Sequence, residues 1–220
     1  MKSILSTKKL TLAQKELLLN SGLTFVEYDA ISITFLPFEA PKQIKNAIFT
    51  SKNAVKALFS TLNAIPKIEN CYCVGEKTKA LLEKNNQNVA KTYQYGAELA
   101  TYLTKNHKSD SFYFFSGTKR LDTIPKALKK AAIPFSEIVT YKTELSPIKF
   151  DRIFDAVLFF SPSGVTSFVS ENNIQDSIAF CIGTTTASEA KKHTQQIVIS
   201  NSTSVESVIA KAVKTLKNYD

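Results

Sequence analysis

Ala47-Ile48-Phe49-Thr50-Ser51-Lys52-Asn53-Ala54-Val55 and Val157-Leu158-Phe159-Phe160-Ser161-Pro162-Ser163-Gly164-Val165 are one pattern written twice: a short apolar run, a hydroxyl-rich turn and the opening of a helix. Phe49 falls on Phe159, Ser51 on Ser161 and Val55 on Val165. The same shift lays Ser6 on Ser116, Lys9 on Lys119, Phe25 on Phe135 and Glu27 on Glu137. After a two-residue slip, Cys73 meets Cys181, Gly75 meets Gly183 and Thr78 meets Thr186. A period of half the 220-residue chain exceeds the roughly 20–50 residues of solenoid repeats and suits a small domain. Two related domains are expected, with the ligand between them.

Outward from these turns, apolar strands alternate with helices. In the first half the pattern predicts strands over Ser3–Ser6, Thr24–Ile33, Ala47–Thr50 and Cys71–Val74. Its helices are Leu10–Leu19, stopped by Gly22, one whose Val55, Leu58, Phe59 and Leu62 share a face, and one through Leu81 and Leu82. In the second half, strands are predicted at Phe112–Phe115, Phe135–Thr140, Ala156–Phe160, Ile178–Ile182 and Ile197–Ile199. Helices follow at Pro125–Ala131, Val165–Ser170 and Thr185–Lys192, and a last one carries Val205, Val208, Ile209, Ala212, Val213 and Leu216 on one face. Short apolar strands separated by helices imply parallel sheets covered on both faces. Thr34–Lys45, around Pro37 and Pro41, and Lys142–Arg152, around Pro147, read as equivalent linkers. Either the chain crosses between lobes at both, so that one lobe is built from the two chain ends, or each half forms one lobe.

Composition narrows the function classes. The first nine residues hold only a brief apolar run before Lys8-Lys9, so a cytoplasmic protein is expected. Three cysteines, two of them in Cys71-Tyr72-Cys73, lack zinc-site spacing and read as core residues. His107 and His193 stand alone in polar surroundings, and no metal is expected. The net charge of +9 attracts nucleic acid, acidic lipid or a polyanionic small molecule alike, but no Arg-rich run or RNA-binding aromatic motif accompanies it.

In parallel α/β sheets, ligands bind beyond the carboxyl ends of the strands, where helix N-termini present free N–H groups. Four such turns are hydroxyl-rich: Thr50-Ser51-Lys52-Asn53, Ser116-Gly117-Thr118-Lys119-Arg120, Ser161-Pro162-Ser163-Gly164 and Gly183-Thr184-Thr185-Thr186. Any one of these hydroxyls can serve simply as a helix cap; together they make an anion-binding surface. Neither a GxxxxGK[ST] loop nor a GxGxxG turn is present, so carboxylates fit better than a nucleotide. None of the four turns holds His, Cys, Asp or Glu. A reaction there would use an intrinsically reactive substrate, held in one conformation and helped by a weak acid.

At these residues the chain resembles the uroporphyrinogen-III synthase family. The resemblance runs through Ile48–Val55, Val74-Gly75 with Thr78, Phe115-Ser116-Gly117 with Lys119-Arg120, Pro125–Leu128, Val139–Thr143, Phe159–Val165 and Ile182-Gly183 with Thr185-Thr186-Ala187. Lys8-Lys9 stands where the family often has Arg-Pro, and Thr184 where many members have proline. The resemblance implies two similar doubly wound, flavodoxin-like parallel-sheet lobes joined by a two-stranded linker. Residues 1–33 with 146–220 would form the first lobe, 38–138 the second, and 34–37 and 139–145 the linker strands.

The resemblance further implies a cofactor-free lyase of tetrapyrrole biosynthesis that cyclises hydroxymethylbilane to uroporphyrinogen III with inversion of ring D and loss of water; a monomer is expected because no heptad pattern or exposed apolar stripe stands out in the sequence. It implies transient contact with the preceding deaminase. Tyr141 matches the family's tyrosine and is expected to aid departure of the hydroxyl; on residue pattern alone it reads equally well as a half-exposed strand aromatic. Thr50, Ser51, Asn53, Gly75, Thr78, Ser116, Gly117, Lys119, Ser161, Ser163, Gly164, Gly183, Thr185 and Thr186 are expected to bind substrate carboxylates. Two rival readings are a two-lobed binding protein for an organic polyanion, with no catalysis, and a nucleic-acid-associated α/β protein.

Overall fold

A computed structural model describes residues 2–217. Met1 and Asn218–Asp220, the ends of the expected first lobe, lie outside the described residues. In chain order the elements are β1 (Ser3–Ser6), α1 (Leu12–Leu19), β2 (Thr24–Glu27), β3 (Ile31–Phe35), β4 (Gln43–Phe49), α2 (Lys52–Thr61), β5 (Lys67–Val74), α3 (Glu76–Lys84), β6 (Val89–Tyr93) and α4 (Gly96–Asn106). They continue with β7 (Phe112–Gly117), α5 (Thr123–Lys130), β8 (Phe135–Leu145), β9 (Ala156–Phe159), α6 (Pro162–Val169), β10 (Ile178–Cys181), α7 (Thr184–Ala190), β11 (Ile197–Ile199) and α8 (Val205–Lys217).

The chain divides into two compact units, Met1–Ser32 with Glu144–Asp220, and Ile33–Thr143. The first holds a five-stranded sheet in the order β11-β10-β9-β1-β2, and the six-stranded sheet runs β3-β8-β7-β4-β5-β6. Pairing is parallel throughout the first sheet and from β8 to β6 in the second. The repeat explains the two orders: it matches β1 with β7, β2 with β8, β4 with β9, β5 with β10 and β6 with β11. Each sheet thus takes its first two repeat strands from one half of the chain and the other three from the other half.

Each sheet is covered on both faces because its central strands are buried on both. In the first unit, Leu5, Val157, Phe159 and Cys181 pack with Val165, Phe168 and Ala187, while the alternate residues Ile4, Leu158 and Phe180 pack with Leu18, Val208, Ile209 and Leu216. In the second, Ala47, Phe49, Cys73 and Phe115 pack with Val55, Leu58 and Leu82. Ile48, Tyr72, Phe112 and Phe114 face the other way, against Leu99, Leu103 and Leu128. All three cysteines are buried, and burial pushes the Cys71 and Cys181 thiols up to about 12.

Four sequence expectations need correction. Thr24–Ile33 is two strands in different sheets, because the backbone breaks at Asp29, whose carboxylate turns to accept the Lys9 N–H at 3.0 Å. Helix α1 begins at Leu12 instead of Leu10, capped by Thr11, whose hydroxyl and the Gln14 side chain form a reciprocal capping box. β6 and α4 fill a stretch with no element foreseen. His107 lies among Tyr72, Tyr102 and Phe112, with Nδ1 2.9 Å from Asp110, and not in polar surroundings.

Candidate functional site

Parallel pairing puts the carboxyl ends of β4, β5, β7 and β8 along one edge of the six-stranded sheet. After β4, Thr50 and Ser51 are half-buried and Ser51 caps α2, its Oγ accepting the Asn53 N–H at 3.1 Å. After β5, Gly75 caps α3 with φ +84° and ψ 138°, a conformation almost reserved for glycine, and its N–H donates to the Tyr93 carbonyl at 2.8 Å. Thr78 is buried in the first turn of α3, and Lys119 is exposed.

Around Tyr141 the strand register is decisive. β7 and β8 run in step from Phe112↔Phe135 to Ser116↔Val139, then slip by one residue so that Gly117 lies opposite Tyr141. The skipped residue, Thr140, is fully buried and donates its hydroxyl to the Ser116 carbonyl at 3.1 Å. Such an irregularity re-aims a side chain, here the Tyr141 ring, onto the glycine. A Cβ at position 117 would stand 2.3 Å from Cζ of that ring and 2.4 Å from Cε2, so only glycine fits beneath it. The Tyr141 phenol hydrogen-bonds the Ser51 hydroxyl; burial raises its pKa above the ordinary 10, with the Ser51 bond pulling weakly the other way. Tyr141 is therefore a core residue, only 9% exposed, and not the half-exposed aromatic allowed by its pattern.

Ser116 is turned inward. It is 1% exposed and donates its Oγ to Glu137 Oε1 at 2.7 Å, so its hydroxyl is committed to the protein. Arg120 grips the same carboxylate, Nε to Oε1 at 2.6 Å and Nη2 to Oε2 at 2.8 Å. That guanidinium, with the Ser116 bond, holds the Glu137 carboxyl below its ordinary value against the opposing effect of burial.

In the five-stranded sheet, the corresponding edge carries Thr7, Ser161 and Gly183 after β1, β9 and β10. Ser161 caps α6, accepting the Gly164 N–H at 3.0 Å, with Pro162 in the first turn. Gly164 is close-packed: a Cβ there would lie 3.3 Å from Ser161 Oγ and 3.5 Å from Thr7 Oγ1. Ser163 is half-buried, Gly183 caps α7 without a side chain, Thr185 is exposed and Thr186 is buried. Thr7, whose Oγ1 donates to the Leu158 carbonyl at 2.7 Å, and Glu137 were not foreseen at these edges. Both had a signal in the repeat, since Thr7 aligns with Gly117 and Glu27 with Glu137.

The expected residues thus form two rows, one on each sheet, of helix-capping hydroxyls and strand-end N–H groups, with one buried phenol on the second unit's row. Such rows suit carboxylate ligands through capping geometry and helix dipoles. Among the described residues, no group of three or more His, Cys, Asp or Glu is arranged to hold a metal.

A protein-family model described as uroporphyrinogen-III synthase HemD matches residues 13–210. Among solved structures, the uroporphyrinogen-III synthetase of Helicobacter pylori superimposes with a TM-score of 0.71 at 21% identity, covering 98% of this chain and 100% of that one. A mutant uroporphyrinogen III synthase from the extremely thermophilic bacterium Thermus thermophilus superimposes with a TM-score of 0.70 at 12% identity, covering 99% and 100%. At these identities the two structures speak for the fold.

Proposed function

The chain belongs to the uroporphyrinogen-III synthase family, a family of cyclising lyases of tetrapyrrole biosynthesis, and we propose that the two strand-end rows and Tyr141 are how it performs the family's reaction. The substrate, hydroxymethylbilane, is a linear tetrapyrrole with acetate and propionate arms on every ring. Its terminal hydroxyl leaves as water to give an azafulvene. The substituted carbon of ring D attacks, and the resulting spiro intermediate fragments and recloses with ring D inverted. Without guidance the same substrate closes to the symmetric type I isomer, so the protein's task is to hold one conformation.

The residues suit that division of labour. Thr50, the Asn53 side chain and Lys119 offer hydroxyl, amide and ammonium donors to carboxylate arms, with Ser51 and Thr78 in the first turns of α2 and α3; the N–H groups of Asn53 and Gly75 are already bound to Ser51 Oγ and the Tyr93 carbonyl, so Gly75, like Gly117, contributes by shaping its turn. Ser161 and Ser163 at α6, with Thr185 and Thr186 at α7, offer a second set, while Gly164, whose N–H is bound to Ser161 Oγ, and Gly183 shape the two turns. Ser116 contributes by bracing its turn, since its own hydroxyl is bound to Glu137. The carboxylate arms are shared among several donors, so single side-chain losses will be small.

The observation that carries the mechanism is the buried phenol. Tyr141, with a pKa above 10, remains protonated throughout the neutral range and keeps a proton to share with a departing hydroxyl. Its weakness as an acid matches a leaving group that departs readily. Tyr141→Phe is expected to slow formation of the type III isomer by on the order of 100-fold without unfolding the protein; unchanged turnover removes Tyr141 from the mechanism.

We propose further that residues 1–33 with 146–220 and residues 38–138 act as two flavodoxin-like lobes, linked through 34–37 and 139–145. The boundaries of the compact units inside β3 and β8, neighbours in one sheet, support this. A cytoplasmic monomer receiving its substrate in transient contact with the deaminase that makes it fits a bilane that closes spontaneously. Among the described residues no helix is long and apolar enough to cross a membrane.

A further inference from the structure

Glu137 closes a clasp around the turn that supports Tyr141. Besides accepting from Ser116 and from both arms of the Arg120 fork, it fixes a turn that is tied to β8 again further on. The Thr118 N–H donates to the Tyr141 carbonyl at 3.1 Å, the Thr143 N–H to Thr118 Oγ1 at 3.3 Å and the Arg120 N–H to the Gly117 carbonyl at 3.1 Å. The turn is thus pinned on both sides of Tyr141, at Glu137 and at 141–143, and Gly117 between these pins is the surface on which the ring rests.

Two observations mark the clasp as more than a surface ion pair. Arg120 is one of two arginines in a sequence whose 28 basic residues are otherwise lysine, and it stands where a planar fork meets a carboxylate edge-on, a geometry lysine cannot supply. The repeat also places Glu27 at the equivalent position in the first unit. There it holds the β1–α1 turn through the Leu10 N–H at 2.9 Å and Lys15 at 2.5 Å. Both units brace this turn from the second strand of the repeat; only the unit holding Tyr141 does so with an arginine fork.

We propose that Arg120 and Glu137 are positioning residues for the cyclisation, holding Gly117 under the Tyr141 ring so that the phenol stays on Ser51. This rests on the assignment of Tyr141 made above. The test is a double-mutant cycle on the full chain, combining Glu137→Gln and, separately, Arg120→Lys with Tyr141→Phe. For every variant, kcat and KM for hydroxymethylbilane are measured beside the melting temperature. Glu137→Gln keeps an acceptor for Ser116 but loses the charge, and Arg120→Lys keeps the charge but loses the fork. Each is expected to lower kcat by about 10-fold with KM within about 2-fold of the parent, because a misplaced group costs the transition state and not substrate binding. In the Tyr141→Phe background the same substitutions are expected to change kcat by less than about 2-fold, the signature of groups acting through one residue. Equal losses in both backgrounds, or full kcat in both single variants, overturn the inference. If Tyr141→Phe itself retains parental kcat, the assignment of Tyr141 falls and the positioning role falls with it.

Discussion

Gly117→Ala probes the fit between strand end and phenol most sharply. The added methyl would sit 2.3, 2.4 and 2.8 Å from three ring carbons of Tyr141, whereas carbon atoms in contact stay about 3.5–4.0 Å apart. The ring must therefore retreat by about 1.2–1.7 Å. It has nowhere easy to go, since it is part of the cluster with Ala47, Phe49, Cys73 and Phe115, and such a retreat also breaks the bond to Ser51. Overpacking of this kind costs about 1–3 kcal/mol, and the lost hydrogen bond adds about 1 kcal/mol. For a chain of this size about 2–4 kcal/mol corresponds to a fall of roughly 4–16 °C in the melting temperature. Displacing the phenol by more than 1 Å is expected to cost about 100-fold in the rate of type III formation as well. Thermal melting by circular dichroism and a timed conversion of hydroxymethylbilane read the two effects. A Gly117→Ala protein that melts within about 1 °C of the parent and converts the bilane at the parental rate refutes the packing described for Tyr141.

Three further outcomes follow from particular contacts. Gly75→Ala meets no atom within 4 Å but must adopt φ +84°, so it is expected to lose about 1–3 kcal/mol in urea titration through backbone strain alone. Ser51→Ala removes the cap of α2 and the partner of the Tyr141 phenol; a loss of about 0.5–2 kcal/mol is expected from the cap, with a fall in kcat. Burial pushes the Asp155 carboxyl up, but the Ser3 N–H at 2.7 Å and hydroxyl at 3.0 Å outweigh it and hold the pKa below 3.8. Because the folded value is the lower one, the contribution of Asp155 is present above pH 3.8 and is lost as the pH falls through that depressed value. The stability gap between the parent and Asp155→Asn is expected to be constant from about pH 7 to pH 5 and to close below pH 3.8, and a gap that widens on acidification contradicts the assignment.

The parallel α/β character was legible because buried parallel strands are apolar on both faces, so Ile48-Phe49 and Leu158-Phe159 stand out as unbroken runs before their capping serines. β6 was not legible. It is an edge strand, and Lys91 and Thr92 give Val89–Tyr93 the look of a loop. The division of Thr24–Ile33 was hidden for the opposite reason: most of its residues are strand formers on either side of the break at Tyr28–Ala30. At the site, capping positions such as Ser51 and Ser161 could be read locally, since a hydroxyl before a helix bonds within three residues. What Ser116, Gly117 and Tyr141 do could not, because it depends on a one-residue slip between β7 and β8 and on side chains more than 20 positions apart. Glu137 carried a faint signal as the repeat partner of Glu27, but its use as a clasp appears only when β8 lies beside β7.

The most direct measurement is to give the purified protein freshly generated hydroxymethylbilane, oxidise the products and separate the type I and type III isomers. Predominant type III, lost when the protein is boiled first, is the expected result. Type I alone, formed at the rate seen without protein, would contradict the synthase activity and leave the strand-end donors as a binding surface without catalysis.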